Sequence, residues 1–190
     1  MAFELFGFKI ERNSEESAKA NIPAFTLPEN DDGSMMVSGA SAYGTYTDFE
    51  GAYKNEIDLF IAAAISEDIG NGDHASQSCL SNNNISKANL LVKEAGVIAG
   101  VELAEHIFKT KNETFTFETK IDDSAWVNPG DVVFTIEGPQ LELLATERLV
   151  LNCMQRMSGI ASLTKSLTDK IVHTHCKILD TRKTTPCFRY

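Results

Sequence analysis

The stretch from Pro139 to Met157 constrains this chain most, because it reads as one long helix. Leu144-Ala-Thr-Glu147-Arg148-Leu-Val-Leu151-Asn152-Cys-Met-Gln-Arg156-Met-Ser158-Gly159-Ile160-Ala161 sets charged and amide residues among apolar ones at helical spacing. Pro139 falls near the start, where a missing N–H costs little. Ser158-Gly159 is where the pattern predicts a break. Upstream, Ile57, Phe60, Ile61 and Ala64 give an amphipathic helix over 56–66, ended by Gly70 and Gly72. Lys87 to Lys93 reads as a strand, Gly96 to Gly100 as a turn and short strand, and Val101 to Thr110 as a helix. Phe115 and Phe117 alternate with polar residues over 114–120, the period of a half-buried strand. Val127-Asn128-Pro129-Gly130-Asp131 reads as a turn whose Pro-Gly pair suits a type II geometry, leading into a strand over Val132 to Ile136. Cys176 to Asp180 reads as a further strand. The pattern predicts an α+β domain leading into the first strand of an α/β barrel.

At 190 residues, 43% of them hydrophobic, the chain is long enough for one packed domain or two small ones. Its net charge of −10 and its lack of a basic run argue against general nucleic-acid binding. Cys79, Cys153, Cys176 and Cys187 are scattered without a Cys-x-x-Cys pair. With no secretory signal and no apolar run of about 20 residues, the expectation is a cytoplasmic chain with free thiols and no membrane span.

Residues 1–54 differ from the rest. A short apolar start, Met1 to Ile10, gives way to Pro23, Pro28, Asp31-Asp32-Gly33-Ser34 and Ala42-Tyr43-Gly44-Thr45-Tyr46. Such aperiodic, glycine- and proline-punctuated composition predicts an irregular or disordered arm that does not pack with the remainder. The Leu5-Phe6-Gly7-Phe8 start and the two later elements resemble the N-terminus of portal-vertex proteins of T4-like phages. That resemblance makes a virion structural fragment one alternative function.

Near the other end, Lys177-Ile178-Leu179 runs into Asp180-Thr181-Arg182-Lys183-Thr184-Thr185-Pro186. Two adjacent cations and a hydroxyl at a strand end suit an anionic substrate, since a hydrogen bond to an ionised group contributes about 1.5–3 kcal/mol. The competing reading is a basic surface turn. Together with the Glu147-Arg148 helix and the earlier Glu67-Asp68-Ile69-Gly70-Asn71-Gly72-Asp73, this segment resembles quinolinate phosphoribosyltransferase, the carboxylating nicotinate-nucleotide pyrophosphorylase family of NAD synthesis. The resemblance covers roughly residues 55–190. It implies an N-terminal α/β domain over 55–146, then a long helix and the first strand of an incomplete barrel over 147–190. His74, Ser76, Cys187 and Phe188 depart from the usual residues of the family and put local loop geometry in doubt.

By this resemblance, Arg148 reaches across a homodimer interface to a substrate carboxylate, a task suited to its planar fork. Its alternative is an exposed helix charge with a local ion pair. Thr181, Arg182 and Lys183 match the substrate-binding segment, and Arg156 stays open between a structural pair and a ligand contact. Glu67, Asp68 and Asp73 read as a capped helix end and loop rather than a metal site. His173, His175 and Cys176 lack a fourth zinc ligand at a recognisable spacing. The implied reaction joins quinolinate to phosphoribosyl pyrophosphate, giving nicotinate mononucleotide, pyrophosphate and carbon dioxide. Magnesium would escort the pyrophosphate. Its ligands and the catalytic carboxylates are expected beyond Tyr190, so no turnover is expected of the 190 residues alone. A third reading takes Val127 to Ile136 as a biotinyl- or lipoyl-type hairpin, but Lys93 is a poor acceptor and that reading leaves Arg148 unexplained.

Overall fold

The computed structural model describes residues 3–5, 8–12, 54–80, 84–179 and 183. Its centre is an antiparallel sheet of β1 (Phe3–Leu5), β2 (Phe8–Arg12), β3 (Ile85–Val92), β5 (Thr116–Thr119) and β7 (Val132–Pro139). The strand order is β1-β2-β3-β7-β5. A small second sheet pairs β4 (Gly96–Val97) with β6 (Trp126–Val127). Four helices accompany them among the described residues: α1 (Lys54–Ile69), α2 (His74–Cys79), α3 (Val101–Lys111) and α4 (Gln140–Ile171).

β3 and β7 are the middle of the sheet, in register from Ile85↔Pro139 to Asn89↔Thr135, with an irregularity before Leu91↔Val132. Ala88, Leu90 and Val92 are buried at alternate positions of β3, the pattern expected when one face meets a core. Against them lie Ile57 and Ile61 of α1 and Val101, Leu103, Ala104, Ile107 and Phe108 of α3. Phe115 and Phe117 meet Phe108 as their shared parity predicts, with centroids 5.3 and 6.3 Å away, and Phe134 stacks at 4.4 Å from Phe117. Aromatic groups at such distances and tilts gain about 0.5–1.5 kcal/mol per pair beyond their burial.

α4 is continuous through Ser158-Gly159, so the expected break does not occur. Leu143, Val150, Leu151, Met154, Met157 and Ala161 form its buried stripe, and this packing offsets the cost of a mid-helix glycine. Ser158 faces inward and serves the segment before α3: its Oγ accepts from the Ala99 amide at 2.9 Å. Ser162 does the same for the Val97 amide at 2.9 Å.

α3 begins at Gly100, whose φ of +99 belongs to the left-handed region. A side chain there would lie 3.0 Å from Met157 Sδ, so conformation and packing both call for glycine. The helix start is closed from a distance by Asp123, which accepts from the amides of Val101 at 3.0 Å and Glu102 at 3.1 Å.

Two segments differ from expectation. Within the arm expected to be irregular over 1–54, residues 3–5 and 8–12 are strands, and β2 pairs with β3 from Phe8↔Val92 to Arg12↔Ala88. The alternation Phe8-Lys9-Ile10-Glu11 carries a strand period, and the β3 edge supplies the ladder it needs. The other calls on that arm, Asp31 to Ser34 and Ala42 to Tyr46, lie outside the described residues. At the far end, residues 176–179 have no regular secondary structure, and Leu179 is exposed. A strand exists only with a hydrogen-bonding neighbour, and none of the described strands pairs with this segment.

Candidate functional site

Arg148 stands on the outer side of α4, in the sequence Glu147-Arg148. Its neighbour Glu147 is 7% exposed and turned into the protein. Consecutive helix residues do not face one another, so Glu147 is not positioned as the ion-pair partner of Arg148. The partner is Asp68, eighty residues earlier, whose Oδ1 accepts from Arg148 Nη1 at 2.6 Å. The Arg148 side chain remains 66% exposed, whereas the Asp68 side chain is 28% exposed. The hydrogen bond to Asp68 and its charge raise the Arg148 pKa further above its ordinary value, with Asp73 and Glu147 adding to the effect. Arg148 is therefore a fixed cation at all accessible pH.

Asp68 lies in the last turn of α1. The chain then turns through Gly70 and Gly72, with φ of +52 and +132, which a β-carbon disfavours. The amide of Gly70 donates to Ser66 O at 3.0 Å and that of Gly72 to Ile69 O at 2.9 Å. Asp73 caps α2, its Oδ1 accepting from the Ser76 amide at 3.1 Å. The acidic, glycine-rich segment is thus a helix end and cap, as its composition predicts, and it also carries the partner of Arg148. Sequence reasoning missed that pairing. The available signal was Glu67-Asp68 at a helix C-terminus with no basic residue in its last turn.

Arg148, Asn152 and Arg156 recur every fourth residue and all three are exposed, a polar stripe along α4. The stripe continues into apolar Ile160, Leu163 and Leu167, which are 44%, 62% and 44% exposed. Lys183 is exposed beyond the end of α4. Asp180, Thr181 and Arg182 lie outside the described residues, so of the predicted substrate-binding set only Arg148 and Lys183 have a described place. Among the described residues no three histidine, cysteine or acidic side chains gather into a metal-binding group. No described helix is long and apolar enough to cross a membrane.

Residues 73–158 match the family described as "Quinolinate phosphoribosyl transferase, N-terminal domain". Among curated proteins, the chain is 41% identical over 130 residues to tobacco "Quinolinate phosphoribosyltransferase [decarboxylating] 1b", covering 68% of this chain and 37% of that protein. It is 37% identical over 123 residues to a probable carboxylating nicotinate-nucleotide pyrophosphorylase of Bacillus subtilis, covering 65% of this chain and 42% of the relative. Among solved structures, NadC from Streptococcus pyogenes superposes with a TM-score of 0.68 at 33% identity, covering 72% of this chain and 48% of that one. The chain thus spans about two-fifths of the length of the curated relatives it matches. The helix that carries Arg148 and the sheet beneath it are those of a known kind: residues 73–158 of this chain match the N-terminal domain of the quinolinate phosphoribosyltransferase family.

Proposed function

We propose that this domain serves nicotinate-nucleotide synthesis by presenting Arg148 to a carboxylate of quinolinate. The observation that carries the reading is an exposed guanidinium fixed on a rigid helix, inside the family-matched span, with most of its surface open to a ligand. A planar fork binds a carboxylate through two parallel bonds, and a dicarboxylate ring needs more than one cation. Thr181, Arg182 and Lys183 are proposed as the others, at the opposite carboxylate and the phosphoribosyl donor. The reaction proposed is transfer of the phosphoribosyl group from phosphoribosyl pyrophosphate to quinolinate, with loss of pyrophosphate and carbon dioxide. The chain's own residues hold and orient the anions; such positioning contributes about 7–11 kcal/mol in well-formed sites. Magnesium is part of the proposal as the ion that accompanies the pyrophosphate. A homodimer sharing Arg148 across its interface and a cytoplasmic location belong to the same proposal.

Calorimetric titration with quinolinate tests the reading. Arg148→Ala should weaken binding at least about tenfold, the value of one charged hydrogen bond. Equal binding by the wild type and Arg148→Ala would overturn it.

A further inference from the structure

We propose that Asp68 is a positioning residue for Arg148, holding one corner of the guanidinium so that its other edge is oriented for a substrate carboxylate. The inference rests on the reading of Arg148 given above and adds a residue to it.

Three observations point this way. The bond runs from Nη1 alone. Among the described residues, the Nε–Nη2 edge makes no hydrogen bond. That edge presents two parallel N–H groups, the arrangement a carboxylate takes up with two bonds. A competitor carboxylate would be expected on the fork itself; Asp68 sits at its corner.

Asp68 is also a fixed point. α1 is anchored by Ile57 and Ile61, which are 2% and 0% exposed. Asp58 ties α1 to α3 through His106 Nε2 at 2.7 Å. The chain after Asp68 is held by the Gly70 and Gly72 amide bonds and the Asp73 cap. Arg148, by contrast, has a long flexible side chain on an exposed helix face, and ordering it on ligand binding would carry an entropic cost. A bond already made to a rigid partner removes part of that cost beforehand.

Finally, α1 ends in Glu67-Asp68 with no cation of its own in the last turn, where the helix dipole disfavours negative charge. A purely structural role for the pair would be to relieve that repulsion. The two roles separate experimentally, because the structural one predicts a change in stability without a change in the way Arg148 meets a ligand.

The test uses the full 190-residue chain as wild type, Asp68→Ala, Asp68→Asn and Arg148→Ala, titrated with pyridine-2,3-dicarboxylate. Heteronuclear relaxation of the Arg148 Nε–H group is measured in the same samples. Asp68→Ala should bind about three- to tenfold more weakly, the equivalent of one side chain ordered anew. Its Nε–H should gain fast motion while the backbone spectrum stays in place. Asp68→Asn, nearly isosteric and still an acceptor, should fold normally and recover part of both effects. If both Asp68 variants match or exceed wild-type affinity while Arg148→Ala weakens binding, the positioning role is overturned and the reading of Arg148 survives. If Arg148→Ala binds as the wild type does, that reading falls and the inference with it.

Discussion

Ser158 holds Ala99 by both its backbone polar groups: the hydroxyl accepts from the amide at 2.9 Å and donates to the carbonyl at 3.2 Å. A helix side chain thereby does for residue 99 what a neighbouring strand would do, and Ser162 extends the arrangement to the Val97 amide. Both Ser158 and Ala99 are buried, so water cannot replace these bonds. Ser158→Ala should therefore cost about 1–3 kcal/mol, from two backbone groups left without a partner. A lower urea midpoint with an unchanged slope would show this. A loss below about 0.5 kcal/mol would mean that the groups find other partners.

This pair explains why the predicted break in α4 was mistaken. Locally, Ser158-Gly159 looks like a helix end; the reason it continues is a contact with residue 99, which no local pattern contains. The hydrophobic periods, in contrast, are local, and they located α1, α3, β3, β5, β7 and the start of α4 to within a few residues, while the turns of α4 beyond the expected break, up to Ile171, went unread. α2 was missed because six residues carry too little period to register. The expected strand over 176–180 failed for the opposite reason, a strand-like composition without a paired neighbour among the described strands. In the site, Arg148 was legible as an exposed helix cation, while its partner Asp68 was not, since ion pairing over eighty residues leaves no periodic trace.

Two glycines of similar appearance should respond oppositely to alanine. At Gly138 in β7, an added β-carbon would lie 2.2 Å from Phe115 Cδ1 and 2.5 Å from Cε1. The ring cannot simply withdraw, because its other side meets Phe108 at a centroid distance of 5.3 Å. Gly138→Ala should destabilise by about 1–3 kcal/mol through overpacking. At Gly159 in α4 nothing lies within 4 Å of the same atom. Gly159→Ala should stabilise by about 0.5–1 kcal/mol, from reduced chain entropy in a helix interior. Thermal melts of the two variants should shift in opposite directions.

Asp123 should behave as a helix cap placed outside its helix. Gly100, at the cap position of α3, has no side chain to offer, and the Asp123 carboxylate supplies both acceptors instead. Removing them in Asp123→Ala should cost about 0.5–2 kcal/mol, the usual range for a cap. Asp123→Asn, with one acceptor oxygen, should fall between. Hydrogen exchange should quicken first at the Val101 and Glu102 amides, and unchanged protection there would count against the assignment.

The Asp58–His106 pair should give the protein part of its acid sensitivity. Burial alone would raise the Asp58 carboxyl, but hydrogen bonds from His106 and Lys54, with the charges behind them, outweigh it and hold the pKa below its ordinary value. A carboxyl depressed in the folded state contributes stability that is present above its unfolded pKa, about 3.9. That contribution is lost as pH falls through the depressed folded value. Burial acts first on Asp123 and Glu102 and leaves both raised, despite the amide bonds to Asp123. Their sign is opposite: the folded state holds their protons more firmly, so acidification between their unfolded and folded values adds stability. The loss at low pH should therefore trace to Asp58 rather than to these two. In urea titrations from pH 6 down to about pH 3, Asp58→Asn should flatten the decline relative to wild type, whereas Asp123→Asn should steepen it. Parallel profiles for Asp58→Asn and wild type would show that the α1–α3 pair contributes nothing to the pH dependence.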